Sequence, residues 1–223
     1  MMHLDVDGFA VIERLLSVHD TELLCASLDT HALAPKRGGI RRIEQRVPEV
    51  NALAHGLPLM RVAQSHLVAP PQLVRAIYFD KSPGNNWLVT WHQDRTVAVS
   101  DRFDQVGWGP WSLKAGAWHV QPPIDVLEQM VTIRVHLDAA TRANGCLKIV
   151  RGSHHLGLIE TDRVRDHVDP ARVVYCEAGA GSVVVMRPHV LHASEKSVTH
   201  ARRRVLHFEF SDYPLPDGIG WAT

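Results

Sequence analysis

From residue 72 onward the chain is a succession of short β-rich runs: "QLVRAIYF", "NWLVTWHQDRTVAV", "MVTIRVHLDA", "CLKIVRG", "RVVYCEA", "GSVVVMR" and "RRRVLHFEF". Turn formers separate them, among them Asn144-Gly145, Gly179, Gly181 and Pro188. No helical pattern lies between most of these runs, which points to antiparallel pairing. Such a series closes into a double-sheet barrel or jelly roll. Residues before 72 read differently. Asp20 is placed to cap "TELLCASLDTHAL", and two shorter helices are expected near 48–54 and 58–68. With 223 residues, 45% of them hydrophobic, the chain can bury one substantial core. The expectation is one domain over 1–223, mainly β with N-terminal helices, in which a helical first third packs on a cupin-like barrel from about 72 to 211. No internal repeat or low-complexity linker interrupts it.

Charge narrows the partners. Lys plus Arg (24) balances Asp plus Glu (24), which points to neither a nucleic acid nor an anionic membrane but to a small molecule. Cys25, Cys146 and Cys176 form no CxxC pair and no even-numbered framework, which fits a reduced, cytoplasmic setting. The start, "MMHLDVDGFAVIERLL", has no basic segment followed by a long apolar one, and no window approaches the ~18 apolar residues of a membrane span. Oligomeric state is left open by these features.

Chemistry enters at "NWLVTWHQDRTVAV". On a continuous strand His92 and Asp94 share a face with Leu88, Thr90 and Ala98, opposite Trp87, Val89, Trp91, Val97 and Val99. Their Cα atoms would lie roughly 6.5–7 Å apart, within reach of one ion. A carboxylate inside a barrel needs a cationic partner, either a metal or an arginine. Further on, the Pro188 turn delivers His192, with Ser194 on the same face, and Arg203 heads the last run beside Val205 and His207. Two imidazoles and one carboxylate on one side of a metal form the facial arrangement of non-haem Fe(II) sites. A buried arginine then offers a planar fork for a carboxylate.

"DGFAVIERLL", "WHQD", "ANGCLKIVRGSHH", "GSVVVMRPHVLHAS" and the Arg-rich final run together resemble the phytanoyl-CoA dioxygenase family of Fe(II)/2-oxoglutarate-dependent oxygenases. "FDKSPGNNWLVTWHQD" and "WHVQPPIDVLEQMVTIRVHLD" look like a subgroup of small bacterial members. The resemblance implies a double-stranded β-helix, iron held by His92, Asp94 and His192, and the C5 carboxylate of 2-oxoglutarate held by Arg203 and Ser194. It also implies oxidation by O2 with release of succinate and CO2. Halogenating relatives usually lack the metal carboxylate, so Asp94 favours hydroxylation of an unactivated C–H. Arg134 stands where larger relatives often carry a tryptophan near the cosubstrate, as a contact to the cosubstrate carboxylate or substrate, or else in an external salt bridge.

Other residues receive plainer readings. His189 is a turn residue, and His154 and His155 are structural or on the surface. Arg202 and Arg204 exchange roles with Arg203 if the register slips by one. His119 and Gln121 share a face and line the mouth or form a structural pair. Trp108 and Trp111 read first as loop packing. The basic segment 35–46, broken by Gly38-Gly39, is either a lid with Arg41 or Arg42 on a bound carboxylate or a solvated loop. Two other functions stay open: a cupin-like metalloenzyme that does without 2-oxoglutarate and a catalytically silent small-molecule binding module.

Overall fold

The computed structural model describes residues 3–33 and 38–223. The chain opens on a one-turn helix, α1 (Leu4–Asp7), closed by Gly8 at φ 82°, and then a strand, β1 (Phe9–Ile12). The next helix, α2 (Val18–Thr30), starts earlier than the sequence suggests. Ser17 is its N-cap: its hydroxyl accepts from the Asp20 N–H and donates to the Asp20 carboxylate, so Asp20 completes a reciprocal cap from the third helical position. A two-residue strand β2 (Ile40–Arg41) leads through a 3₁₀ turn to α3 (Pro48–Ala54) and α4 (Leu57–Gln64), each with proline in its first turn, where a missing N–H costs nothing. The strands that follow are β3 (Gln72–Lys81), β4 (Val89–His92), β5 (Val97–Val99), β6 (Trp111–Lys114) and β7 (Ala117–Val120). A short helix α5 (Ile124–Glu128) precedes β8 (Met130–His136), β9 (Leu147–Val150), β10 (Val173–Cys176), β11 (Val183–Met186), β12 (His192–Ser194) and β13 (Arg203–Ser211).

Every strand pairing is antiparallel. The major sheet runs β1-β11-β8-β13-β3-β2, the minor sheet β10-β9-β12-β4, and β5-β7-β6 form a third. This is the mainly β, jelly-roll architecture expected from the spacing of the runs. The helices lie on the outer face of the major sheet: Leu24, Leu28, Val50 and Leu59 share one core with Leu73, Ala76, Tyr78, Ile133, Leu206 and Phe208. Between the sheets, Phe9, Val184 and Met186 meet Leu147, Ile149 and Cys176.

Three readings need correction. The mostly helical first 71 residues also carry two strands the sequence did not show, β1 and β2, which form the two edges of the major sheet. The run 86–99 is not one strand: β4 stops at His92 and β5 starts at Val97, with Gln93 bridging the gap by bonds to the Gly157 and His189 carbonyls and from the Ile159 N–H. Segment 38–46 is not a free loop, since Ile40 and Arg41 pair with Tyr78 and Ile77 and Ile43 is fully buried, while the Arg41 and Arg46 side chains are exposed as solvated charges. Its neighbours 35–37 lie outside the described residues. No helix of the described residues is long and apolar enough to cross a membrane.

Candidate metal and anion site

Adjacent strands of the minor sheet bring two histidines together. β12 pairs with β4 so that His192 stands opposite His92, and their ring centroids are 4.2 Å apart. Between His192 and Ser194 the register shifts, leaving Ser194 opposite Val89. The bulge breaks strict alternation, so Trp87 and Val89 line the same cavity as His92 instead of pointing away from it. Asp94 lies beyond the strand end, where its N–H donates to the Pro188 carbonyl at 3.0 Å. Its carboxylate is 3.7 Å from His92 Nε2 and 3.5 Å from His192 Nε2.

These three side chains suit a divalent metal. Each imidazole uses Nδ1 on a backbone carbonyl two residues before it, Thr90 for His92 at 2.9 Å and Val190 for His192 at 2.9 Å. That bond requires the proton on Nδ1 and leaves the Nε2 lone pair facing Asp94. One donor atom from each of the three residues falls within 4.8 Å of the others. Burial, then the neighbouring His92, pushes the His192 imidazole down to about 3, so it stays neutral. Burial works against ionisation of Asp94, but the facing His192 and His92, with His207 and Arg75 behind them, hold its carboxyl below the usual range.

The opposite wall comes from the inward face of the major sheet. Arg203 pairs across the ladder with Lys81, His207 with Arg134, and Glu209 with Arg75. Arg203 is 3% exposed, and its side chain makes one long bond, from Nε to the Asn144 carbonyl at 3.3 Å. Arg202 and Arg204 point away into ion pairs, Arg202 with Asp80 and Asp29, Arg204 with Asp138 and Asp29. Lys81 is 1% exposed and donates to the Ser194 hydroxyl and the Glu195 carbonyl, both at 2.7 Å. Ser194 in turn donates to the Gly145 carbonyl at 2.9 Å. Gly145 has φ 74°, and an added Cβ would collide with the Glu195 carbonyl, so glycine is required for this approach. Arg134 is not in an external salt bridge. It is buried, and its guanidinium donates to His207 Nδ1 at 2.8 Å, while His207 Nε2–H donates to Glu209 at 3.0 Å.

Lys81, Arg134 and Arg203 therefore form a cationic cluster with no carboxylate in salt-bridge contact among the described residues. Burial pushes the Lys81 ammonium down to about 7, with Arg203 and Arg134 adding to the effect. Burial, then Arg134, lowers Arg203 to about 10. Buried cations left in mutual repulsion define a place for an anion. The cluster and the His92, Asp94, His192 group line one cavity of about 250 Å³, completed by Phe79, Trp87 and Leu147.

Lys81 and Arg75 were missed in the sequence. The signal was the alternation Arg75, Ile77, Phe79, Lys81, which places two cations on one strand face. It was masked because the other face, Val74, Ala76 and Tyr78, is equally apolar and buried. His119 and Gln121 do not line the cavity. Trp108 and Trp111 pack around Phe103, as loop packing requires. His189 is buried behind Gln93, and His154 stacks on His155.

A family model described as phytanoyl-CoA dioxygenase (PhyH) matches residues 4–205. The chain belongs to the phytanoyl-CoA dioxygenase family. Phytanoyl-CoA dioxygenase 1 of Oryza sativa subsp. japonica is 27% identical over 162 residues, covering 68% of this chain and 48% of that protein. L-proline trans-4-hydroxylase of Streptomyces griseoviridis is 28% identical over 136 residues, covering 49% of this chain and 50% of that one. The chain thus spans about half the length of these curated relatives. Within the family's fold, EvdO2 of Micromonospora carbonacea var. aurantiaca, solved in complex with 2-oxoglutarate, superposes with TM-score 0.69 at 22% identity, covering 96% of this chain and 92% of its own.

Proposed function

We propose that this protein is a non-haem Fe(II)/2-oxoglutarate-dependent dioxygenase that hydroxylates an unactivated C–H of a small-molecule metabolite. The observation that carries the reading is the meeting, in one cavity, of a His92, Asp94, His192 donor set with an unpaired cationic cluster. A cupin-like metalloenzyme without cosubstrate needs the first feature but gives no reason for the second. A silent binding module needs neither. Membership in the family and the hydroxylase among its relatives support the same choice.

His92 and His192 would hold the metal through Nε2 and Asp94 through its carboxylate. Bound there, Fe(II) with 2-oxoglutarate and O2 supplies the oxidising equivalents, with release of succinate and CO2. Arg203 and Lys81 would receive the distal carboxylate of 2-oxoglutarate. Ser194 holds the Lys81 ammonium beside that position, and Arg134 adds positive charge from the adjacent strand. Phe79, Trp87 and Leu147 keep water from the space between metal and anion site. The three free cysteines support a reduced, cytoplasmic setting.

The test is succinate release by purified, iron-loaded protein offered pools of metabolites. The expected result is release that requires both Fe(II) and 2-oxoglutarate and rises with one compound. Failure to bind 2-oxoglutarate in the presence of iron would sink the reading.

A further inference from the structure

The cavity has a second cationic pole, apart from the one that suits the cosubstrate. Arg41 comes from the edge strand β2, where it pairs with Ile77, and it lines the cavity with Gly38 at the mouth. Its position is fixed by the backbone: Gly39, at φ 83°, passes so close to Ile77 and Phe79 that a Cβ would strike both. The charges that act most on Arg41 are Arg75 and Asp94, whereas those that act most on Lys81 are Arg203 and Arg134. Arg41 pairs with Ile77 and Arg203 with Lys81, four residues further along β3, so the two poles lie at different levels of the sheet.

Position and pairing single out Arg41. Arg75 is neutralised by Glu209, 2.6 Å away. Lys81, Arg134 and Arg203 surround the position of one distal carboxylate, and a divalent metal exceeds the charge of Asp94, the one acidic residue lining the cavity among the described residues, so the filled site is still net positive. Arg41 is exposed at the rim and has no carboxylate within ion-pair distance among those residues. A guanidinium held in that position without a partner is placed to receive an anion.

We propose that the substrate is a small carboxylic acid whose carboxylate is received by Arg41 at the cavity mouth, so that Arg41 selects substrates by charge. The inference rests on the oxygenase reading for the metal and the cosubstrate. A cavity of about 250 Å³ must admit both the cosubstrate and the reacting part of the substrate, which favours a compact acid. A single guanidinium presents a planar fork that a carboxylate meets with two parallel hydrogen bonds.

The experiment uses the full chain loaded with Fe(II) and saturated with 2-oxoglutarate in the absence of oxygen. The probes are the L-amino acids and short straight-chain monocarboxylic acids, each paired with its primary amide, with inorganic phosphate as a separate arm. Binding is read by calorimetry and by the change in the visible charge-transfer absorption of the iron–2-oxoglutarate complex. At least one acid should bind, and its amide should bind about tenfold more weakly or worse, as expected for loss of a charge-assisted hydrogen bond. Arg41→Ala and Arg41→Gln should weaken the acid by about 10- to 100-fold, with part recovered in Arg41→Lys, while 2-oxoglutarate affinity stays within about twofold.

Equal binding of acid and amide, preference for phosphate over every acid, or no acid binding at all would overturn the proposal. So would a loss of 2-oxoglutarate affinity in the Arg41 variants, which would move Arg41 into the cosubstrate site. Failure of the wild-type protein to bind 2-oxoglutarate would instead sink the oxygenase reading itself. The two failures are therefore read separately.

Discussion

His92 and His192 face each other across an antiparallel pair, in direct register and with ring centroids 4.2 Å apart, each imidazole tethered by Nδ1 to the carbonyl two residues before it. Two rings at this distance, both aiming Nε2 at Asp94, are preorganised for a metal. The expected outcome is one Fe(II) per chain. His92→Ala and His192→Ala should each lower metal content at least ~10-fold. Metal analysis after gel filtration checks this, and full iron content in both variants would remove the assignment.

Arg203 and its neighbours permit a controlled comparison. Arg203→Ala should leave iron bound yet weaken 2-oxoglutarate by roughly 3–5 kcal/mol, as when one partner of a buried charge pair is lost. Arg203→Lys should recover part of that, since an ammonium lacks the planar fork. Arg202→Ala and Arg204→Ala remove outward ion pairs and should leave cosubstrate affinity unchanged. Anaerobic calorimetry with 2-oxoglutarate distinguishes these cases.

Lys81 gives the ligand-free protein a pH signature. Its folded pKa, about 7, lies below the ordinary lysine value, and Arg203 and Arg134 face it as cations with Cys146 a weaker opposing influence. Between pH 7 and the unfolded lysine value the unfolded chain holds the extra proton, so stability rises with pH across that window, by at most ~1.4 kcal/mol per pH unit. Below pH 7 the penalty of the buried charge is fully present. Lys81→Met should remove the slope in urea titrations between pH 7 and 10, and saturating 2-oxoglutarate should flatten it by keeping Lys81 protonated. An identical slope in the variant would contradict the assignment.

His207 is expected to act through Arg134. Glu209 fixes the His207 proton on Nε2, which leaves Nδ1 to accept from the Arg134 guanidinium. His207→Ala leaves buried partners on both sides unsatisfied and should cost about 1–3 kcal/mol of stability. His207→Gln, able to donate and accept, should restore part of it. Urea unfolding of the two variants decides, and equal losses in both would reduce His207 to a packing role.

Much of the site was legible because β structure has a period of two. Once residues 203–211 are read as a strand, Arg203, Val205 and His207 must share a face, and the structure places Arg203 and His207 on the cavity. The β4 stretch shows the limit of that logic. Regular alternation put Trp87 and Val89 opposite His92, but the bulge against β12 turned them to the same side. Asp94 reached the imidazoles from beyond the strand end, held by Pro188, a contact between segments about ninety residues apart in the chain.

Local patterning by itself determined the β-rich, antiparallel character of the chain after residue 72, the helical start, and which histidines and carboxylate could meet, because turn residues and two-residue periodicity act within a few positions. Tertiary structure alone decided which face of β3 is the inner one. Both of its faces are apolar and buried, one under the N-terminal helices and one toward the cavity, so no count of hydrophobic positions could show that Lys81 and Arg75 point inward. It also decided that Phe9–Ile12 is an edge strand beside β11 and that Ile40–Arg41 closes the other edge. Both strands are only a few residues long, and their partner rows of backbone N–H and C=O groups lie far away in the chain. Pairing with an exposed sheet edge is a long-range hydrogen-bonding requirement that leaves little mark on so short a sequence.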